Sequence, residues 1–178
     1  MRGTRGFTLV ELIAVMVVVG ILGALAGARF FDRGAFDADA FASELKSMLR
    51  YGQKVAIAQN RPVYVSLNAT GVALCFANSP SCPPAERVAP PGGSNSATSA
   101  TLNNCAGASS WACEGVPSDV VLGATPAIGF YFDALGKPFA SGDPVNGLVS
   151  TFTGLVLPVT TPGVTRNVTV TAETGYVF

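Results

Sequence analysis

The feature that most constrains this chain is an apolar run from residue 7 to residue 28, broken by a single charge at Glu11. Ahead of it lie six residues, Met1-Arg2-Gly3-Thr4-Arg5-Gly6, short and basic. The uncharged stretch 12–28 is about long enough to cross a bilayer once its flanks are counted. Arg2 and Arg5 would hold the leading end in the cytoplasm, so everything beyond Arg29 is expected on the other side of the membrane.

Two kinds of processing fit such a start. An ordinary secretory signal would be cut at Ala24-Leu25-Ala26, leaving Gly27 as the first residue. Alternatively the cut falls after Gly6 and the apolar segment stays on the mature protein. Glu11 favours the second, because a carboxylate inside an apolar helix costs a few kcal/mol on insertion scales. A segment destined for removal gains nothing from carrying it.

Gly6-Phe7-Thr8-Leu9-Val10-Glu11-Leu12 resembles the prepilin cleavage motif of type IV pilins and type II secretion pseudopilins. The resemblance implies that a prepilin peptidase cuts between Gly6 and Phe7 and that the new amine of Phe7 is methylated. It also implies that Glu11 serves subunit assembly, pairing with the Phe7 amine of a neighbour in the filament. A buried ion is tolerable when paired in this way, which makes Glu11 a register device. Gly23 and Gly27 form a G-x-x-x-G pair, suited to close helix packing or to local looseness.

Beyond Arg29 the pattern becomes amphipathic. Phe41, Leu45, Met48, Gly52, Val55 and Ala56 recur at spacings of three and four, with Glu44, Lys46, Ser47, Arg50 and Lys54 on the other face. Pro62 stops it. The expected organisation is a leader at 1–6, an apolar membrane or filament-core helix at 7–29, and its amphipathic continuation at 30–60. A β-rich head follows at 61–178, giving an α+β chain with a long helix packed on an antiparallel sheet, as in the type IV pilin fold. One helix from 7 to about 59 would be roughly 80 Å long.

In the head the period switches to two. Strands are expected at 63–67 and 72–76 around an Asn68-Ala69-Thr70-Gly71 turn, then at 120–122, 128–132, 148–157 and 168–171. Glu173-Thr174-Gly175 is expected to turn the chain into a last short strand at 176–178. Residues 77–110, rich in Pro, Ser, Gly and Asn, form a long excursion. Phe130-Tyr131-Phe132-Asp133-Ala134-Leu135-Gly136-Lys137-Pro138 resembles a signature of GspH/FimT minor pilins, and the terminal Glu173-Thr174-Gly175-Tyr176-Val177 resembles the ending of that group. The likeness is nearest to a minor pilin of MSHA-type pilus biogenesis. Taken alone, 133–138 is a turn with Gly136 at a special backbone angle.

Cys75, Cys82, Cys105 and Cys113 contain no C-x-x-C pair, and an even count behind a membrane segment points to two disulfides in a stapled region at about 75–115. Three pairings are possible, and the local pairs Cys75 with Cys82 and Cys105 with Cys113 close the shortest loops. Trp111, between the last two cysteines, either packs beneath its loop or stands out as an interaction anchor. Asn68-Ala69-Thr70 and Asn167-Val168-Thr169 match a glycosylation pattern that is cheap in sequence terms.

The chain has no histidine, which removes the commonest general base and metal ligand. No enzyme activity, cofactor or metal is expected. From residue 62 to the end, Arg87, Lys137 and Arg166 stand against Glu86, Glu114, Asp119, Asp133, Asp143 and Glu173, three minus six, or −3. Direct nucleic-acid binding needs cations along a face and is therefore not expected. The partners are a prepilin peptidase, other pilins or pseudopilins, and the inner membrane, with the head in the periplasm before assembly into a pilus or pseudopilus. Alternatives are an H-type pseudopilin of type II secretion, or an adhesive tip subunit using 77–110 as its contact surface.

Overall fold

A computed structural model describes residues 8–30, 33–124, 127–145 and 147–178. It divides into two units, Met1–Arg33 and Gly34–Phe178. The first contains helix α1, Leu9–Phe30, and the second begins within helix α2, Arg33–Gln59. Whether the two helices are continuous turns on residues 31 and 32, which lie outside the described residues.

Helix α2 buries the stripe its sequence spacing predicts. Phe41, Leu45, Val55 and Ala56 are buried, and Ala38, Ala42 and Leu49 join them. Gly52 lets the helix approach the sheet closely: a β-carbon there would sit 3.2 Å from Leu74 and 3.7 Å from Val63. The helix ends in a Schellman motif. Asn60 adopts φ 50°, its N–H donates to Ile57 O, and the Arg61 N–H reaches back to Ala56 O. Asn tolerates that left-handed angle, and Pro62 prevents any continuation.

The sheet against α2 has five antiparallel strands in the order β3-β2-β1-β5-β6. They are β1 Val63–Asn68, β2 Gly71–Cys75, β3 Cys113–Gly115, β5 Ile128–Phe132 and β6 Pro138–Ala140. A three-stranded antiparallel sheet, β4-β7-β8, comprises Val121–Leu122, Leu155–Thr161 and Val164–Val170. One core joins both sheets to α2. Val63, Val65, Leu67, Phe130 and Phe132 come from the first sheet, and Leu157, Val159, Val168 and Val170 from the second.

The β1–β2 hairpin pairs Asn68 with Gly71. The Asn68 carboxamide accepts from Thr70 N at 2.8 Å, Thr70 Oγ1 at 2.7 Å and Gly71 N at 2.9 Å, so this side chain is committed to holding the turn.

Two expectations change. Of the strand expected at 148–157, only the part from Leu155 is strand, and β7 runs on to Thr161. Asp143 explains the difference. Its carboxylate accepts from Ala140 N, Thr151 N and Thr151 Oγ1 at 3.0, 2.8 and 2.6 Å, folding the preceding segment into a loop. Residues 77–110 are not one structureless excursion: they hold a single 3-10 turn, Pro84–Glu86, and helix α3, Ser99–Asn104, capped by Thr98 Oγ1 on Thr101 N at 3.2 Å. Strand β3 is too short for a period-two pattern to reveal. The chain end does return alongside β8, with Val170 bridging Val177 and Thr169 and Phe178 exchanging backbone bonds.

Candidate functional site

The N-terminal segment is built around one cap and one carboxylate. Thr8 stands just before α1, its Oγ1 accepting from the Glu11 N–H at 3.3 Å while its carbonyl accepts from Leu12 N at 3.2 Å. Thr8 is thus the N-cap and Glu11 the third helical residue, the T-x-x-E spacing of a capping box. A negative side chain there also complements the positive end of the helix dipole. The sequence reading of Glu11 missed this local role, although the spacing was visible. Gly6 and Phe7, expected to flank the cleavage, lie outside the described residues.

Beyond Glu11 the helix presents apolar side chains on every side. Leu12, Ile13, Val15, Met16, Val17, Val18, Val19, Ile21 and Leu22 are all more than half exposed. Side-chain surroundings are described as far as Gly23, and over the described residues no helix is long and apolar enough to cross a membrane. The backbone of α1 continues to Phe30, 22 residues in all, or about 33 Å at 1.5 Å per residue.

In the second unit, Cys75 is bonded to Cys82 and Cys105 to Cys113. Both disulfides pack around Trp111, which is 5% exposed and donates from Nε1 to Leu74 O at 2.7 Å. The Arg87 guanidinium lies 4.6 Å from the centre of its ring. Trp111 is therefore the centre of a small second core, not an exposed anchor.

The two signature segments meet at a polar fastener on α2. Gln53 Nε2 donates to Gly136 O at 2.8 Å and to Thr174 O at 2.9 Å, joining the β5–β6 turn to the C-terminal turn. Asp133 Oδ1 accepts from Leu135 N and Lys137 N, and Lys137 Nζ pairs with Glu173 at 3.2 Å. One turn away, Arg50 donates twice to Val177 O, at 3.0 and 2.8 Å. Gly136 and Gly175 hold φ of 81° and 64°, the left-handed region that favours glycine. The arrangement is one of fold closure.

All four cations of the head are engaged, Arg61 with Glu86 at 2.9 Å. Arg87 covers Trp111, Lys137 pairs with Glu173, and Arg166 forks onto Asp39 of α2, holding that carboxyl below the usual carboxylate range.

Residues 1–27 match the family model of the prokaryotic N-terminal methylation motif. No curated protein and no solved structure matches the chain. The methylation-motif match supports a type IV pilin-type protein, and the apolar helix and the α+β head with paired cysteines are consistent with that class. In general terms that class is processed by a prepilin peptidase at its leader, anchored in a membrane and assembled with other pilins.

Proposed function

We propose that this chain is a minor pilin or pseudopilin of the GspH/FimT kind, nearest to an MSHA-type pilus subunit, that takes part in initiating or assembling a filament. Prepilin peptidase removes residues 1–6 and the amine of Phe7 is methylated. The segment from Phe7 to about Arg29 crosses the inner membrane once, with the head in the periplasm, and later packs in the filament core. There Glu11 pairs with the Phe7 amine of a neighbouring subunit. The chain carries no catalysis, and its head makes no direct contact with nucleic acid.

The observation that carries this proposal is the coupling of the methylation motif to α1, whose apolar side chains are exposed around a single carboxylate at the helix start. Surface of that kind is stable only against lipid or against other apolar helices. A carboxylate in it requires a positive partner, and processing at Gly6-Phe7 creates one. The engaged state of Arg87, Lys137 and Arg166 supports a head that does not bind polyanions.

Peptidase dependence tests the proposal. Expressed with prepilin peptidase, the membrane-bound chain should be shorter than without it by the leader alone. The same length with and without the enzyme, or a head released free of α1, would show that the N-terminus is an ordinary signal.

A further inference from the structure

Val63, Val65, Phe130 and Phe132 of the five-stranded sheet point into the core, so the alternate residues Tyr64, Ser66, Gly129 and Tyr131 belong to its other face. A groove of about 200 Å3 opens on that face, and Asn78, Ser79 and Ser141 complete its polar lining. One side of it is an aromatic ladder. Tyr64 lies opposite Tyr131, and Tyr131 opposite Phe139, with ring centres 5.1 and 5.3 Å apart. Tyr131 and Phe139 are buried, which leaves the half-buried Tyr64 as the ring that lines the groove.

The floor is Gly129. It lies opposite Ser66, and the register of β5 on β1 runs from Leu67–Ile128 to Val63–Phe132 without a bulge. Its φ is not left-handed. A β-carbon there would meet Ser141 at 3.5 Å, an ordinary contact. Neither backbone conformation, nor a bulge, nor crowding therefore calls for glycine at this position. What the missing side chain leaves is exposed strand at the bottom of the groove, and a glycine inside a strand often marks a place where a ligand approaches closely.

The groups around this floor are neutral, since no lining residue is charged. Asn78 Nδ2 donates to Ser141 O at 3.0 Å, which ties one wall to the other and leaves Oδ1 to accept. Ser79 Oγ lies 3.4 Å from Ser81 Oγ. Among the described residues, no hydrogen bond engages the hydroxyls of Tyr64, Ser66 or Ser141. A hydroxyl both donates and accepts, so the matching ligand carries uncharged groups that do both.

We propose that this groove binds a neutral saccharide. Hydroxyls of one sugar residue exchange hydrogen bonds with Ser66, Ser141 and Asn78, while the apolar face of its ring lies on Tyr64. An acidic sugar or a phosphate finds no counter-charge there to offset its desolvation. A peptide strand gains little, because β1 and β5 are both internal to the sheet and offer no free edge for strand addition. The aromatic ladder and the Asn78 bridge hold the site in shape before a ligand arrives, which lowers the cost of binding. The site uses the head alone and does not depend on how the N-terminus is processed.

The test is an amide NMR titration of the full oxidised chain in dodecylphosphocholine, a detergent without sugar. Maltotriose, cellotriose and triacetylchitotriose are the separate probes, distinguishing plain hexoses from N-acetylated ones. At least one should shift the Ser66 and Gly129 amides saturably, with a dissociation constant of about 1–10 mM. The Leu157 amide in the other sheet is the folding reference and should not move. Tyr64→Ala should weaken binding of that probe about tenfold, and Gly129→Ala, which fills the floor with ordinary contacts, about fivefold. Trigalacturonate and N-acetyl-triserine amide, the acidic and the peptide counterparts, should leave Ser66 and Gly129 unmoved. No saturable shift with any of the neutral sugars, unchanged affinity in the Gly129→Ala protein, or an equal response to either counterpart overturns the proposal.

Discussion

Glu11→Ala protein is expected to insert in the membrane and lose its leader normally, yet to be depleted about a hundredfold from sheared filaments. Removing the carboxylate makes the segment more apolar, so insertion improves by up to about 3 kcal/mol. The scissile bond at Gly6-Phe7 lies ahead of the substitution, so processing is retained. What is lost is the partner of a neighbour's Phe7 amine. Breaking a buried pair from one side costs about 3–5 kcal/mol because the other charge is left unanswered. The structure adds a control, since Glu11 also occupies the third position of a helix capped by Thr8. Glu11→Gln preserves the capping-box geometry while removing the charge. Under the pairing role, Gln fails to assemble as Ala does. Filaments rich in processed Glu11→Gln protein would reduce Glu11 to a local capping residue.

Gly175→Ala is expected to cost the head about 2–4 kcal/mol, a large part of the 5–15 kcal/mol of an ordinary domain. At φ 64° an alanine is strained by about 1–2 kcal/mol. Its β-carbon would also lie 2.8 Å from Gln53 Nε2, 2.8 Å from Gly136 O and 2.9 Å from Phe132. Gln53 would have to abandon both carbonyls it bridges, each such loss being worth about 1 kcal/mol. Gly163 provides the comparison. It has φ 85°, but nothing lies within 4 Å of its missing β-carbon, so Gly163→Ala should show the backbone strain alone. Urea denaturation of the two variants beside wild type measures the difference. Equal costs would mean that the fastener contributes nothing beyond backbone conformation.

The parts of this protein that were legible in the sequence are those with a strong period or a specific motif. The stripe from Phe41 to Ala56 marked the face of α2, and alternation marked β1, β2 and β5 to within a residue or two. Composition and spacing favoured the local cysteine pairs, which are the pairs in the structure. Period and composition mislead where side chains override propensity. Residues 148–154 are apolar enough to look like strand, but Thr151, donating twice to Asp143, holds them as a loop. Helix α3 hid in a polar stretch because its start depends on one Thr98 cap, and its packing on a glutamate thirteen residues beyond Thr101. No periodicity exposes contacts of that kind. The candidate site divides in the same way. Gly6, Phe7 and Glu11 announce themselves as a linear motif, whereas Gln53, Gly136 and Thr174 are far apart in sequence and meet only through the fold.

The pilin-type reading of the N-terminus depends most directly on where the mature chain begins and whether its first amine is modified. Intact mass of protein extracted from native membranes decides this. The expected result is a chain beginning at Phe7, one methyl group heavier than its sequence, with all four cysteines oxidised. A chain beginning at Gly27 would contradict the account, because it would have shed Glu11 and most of α1 with a disposable signal.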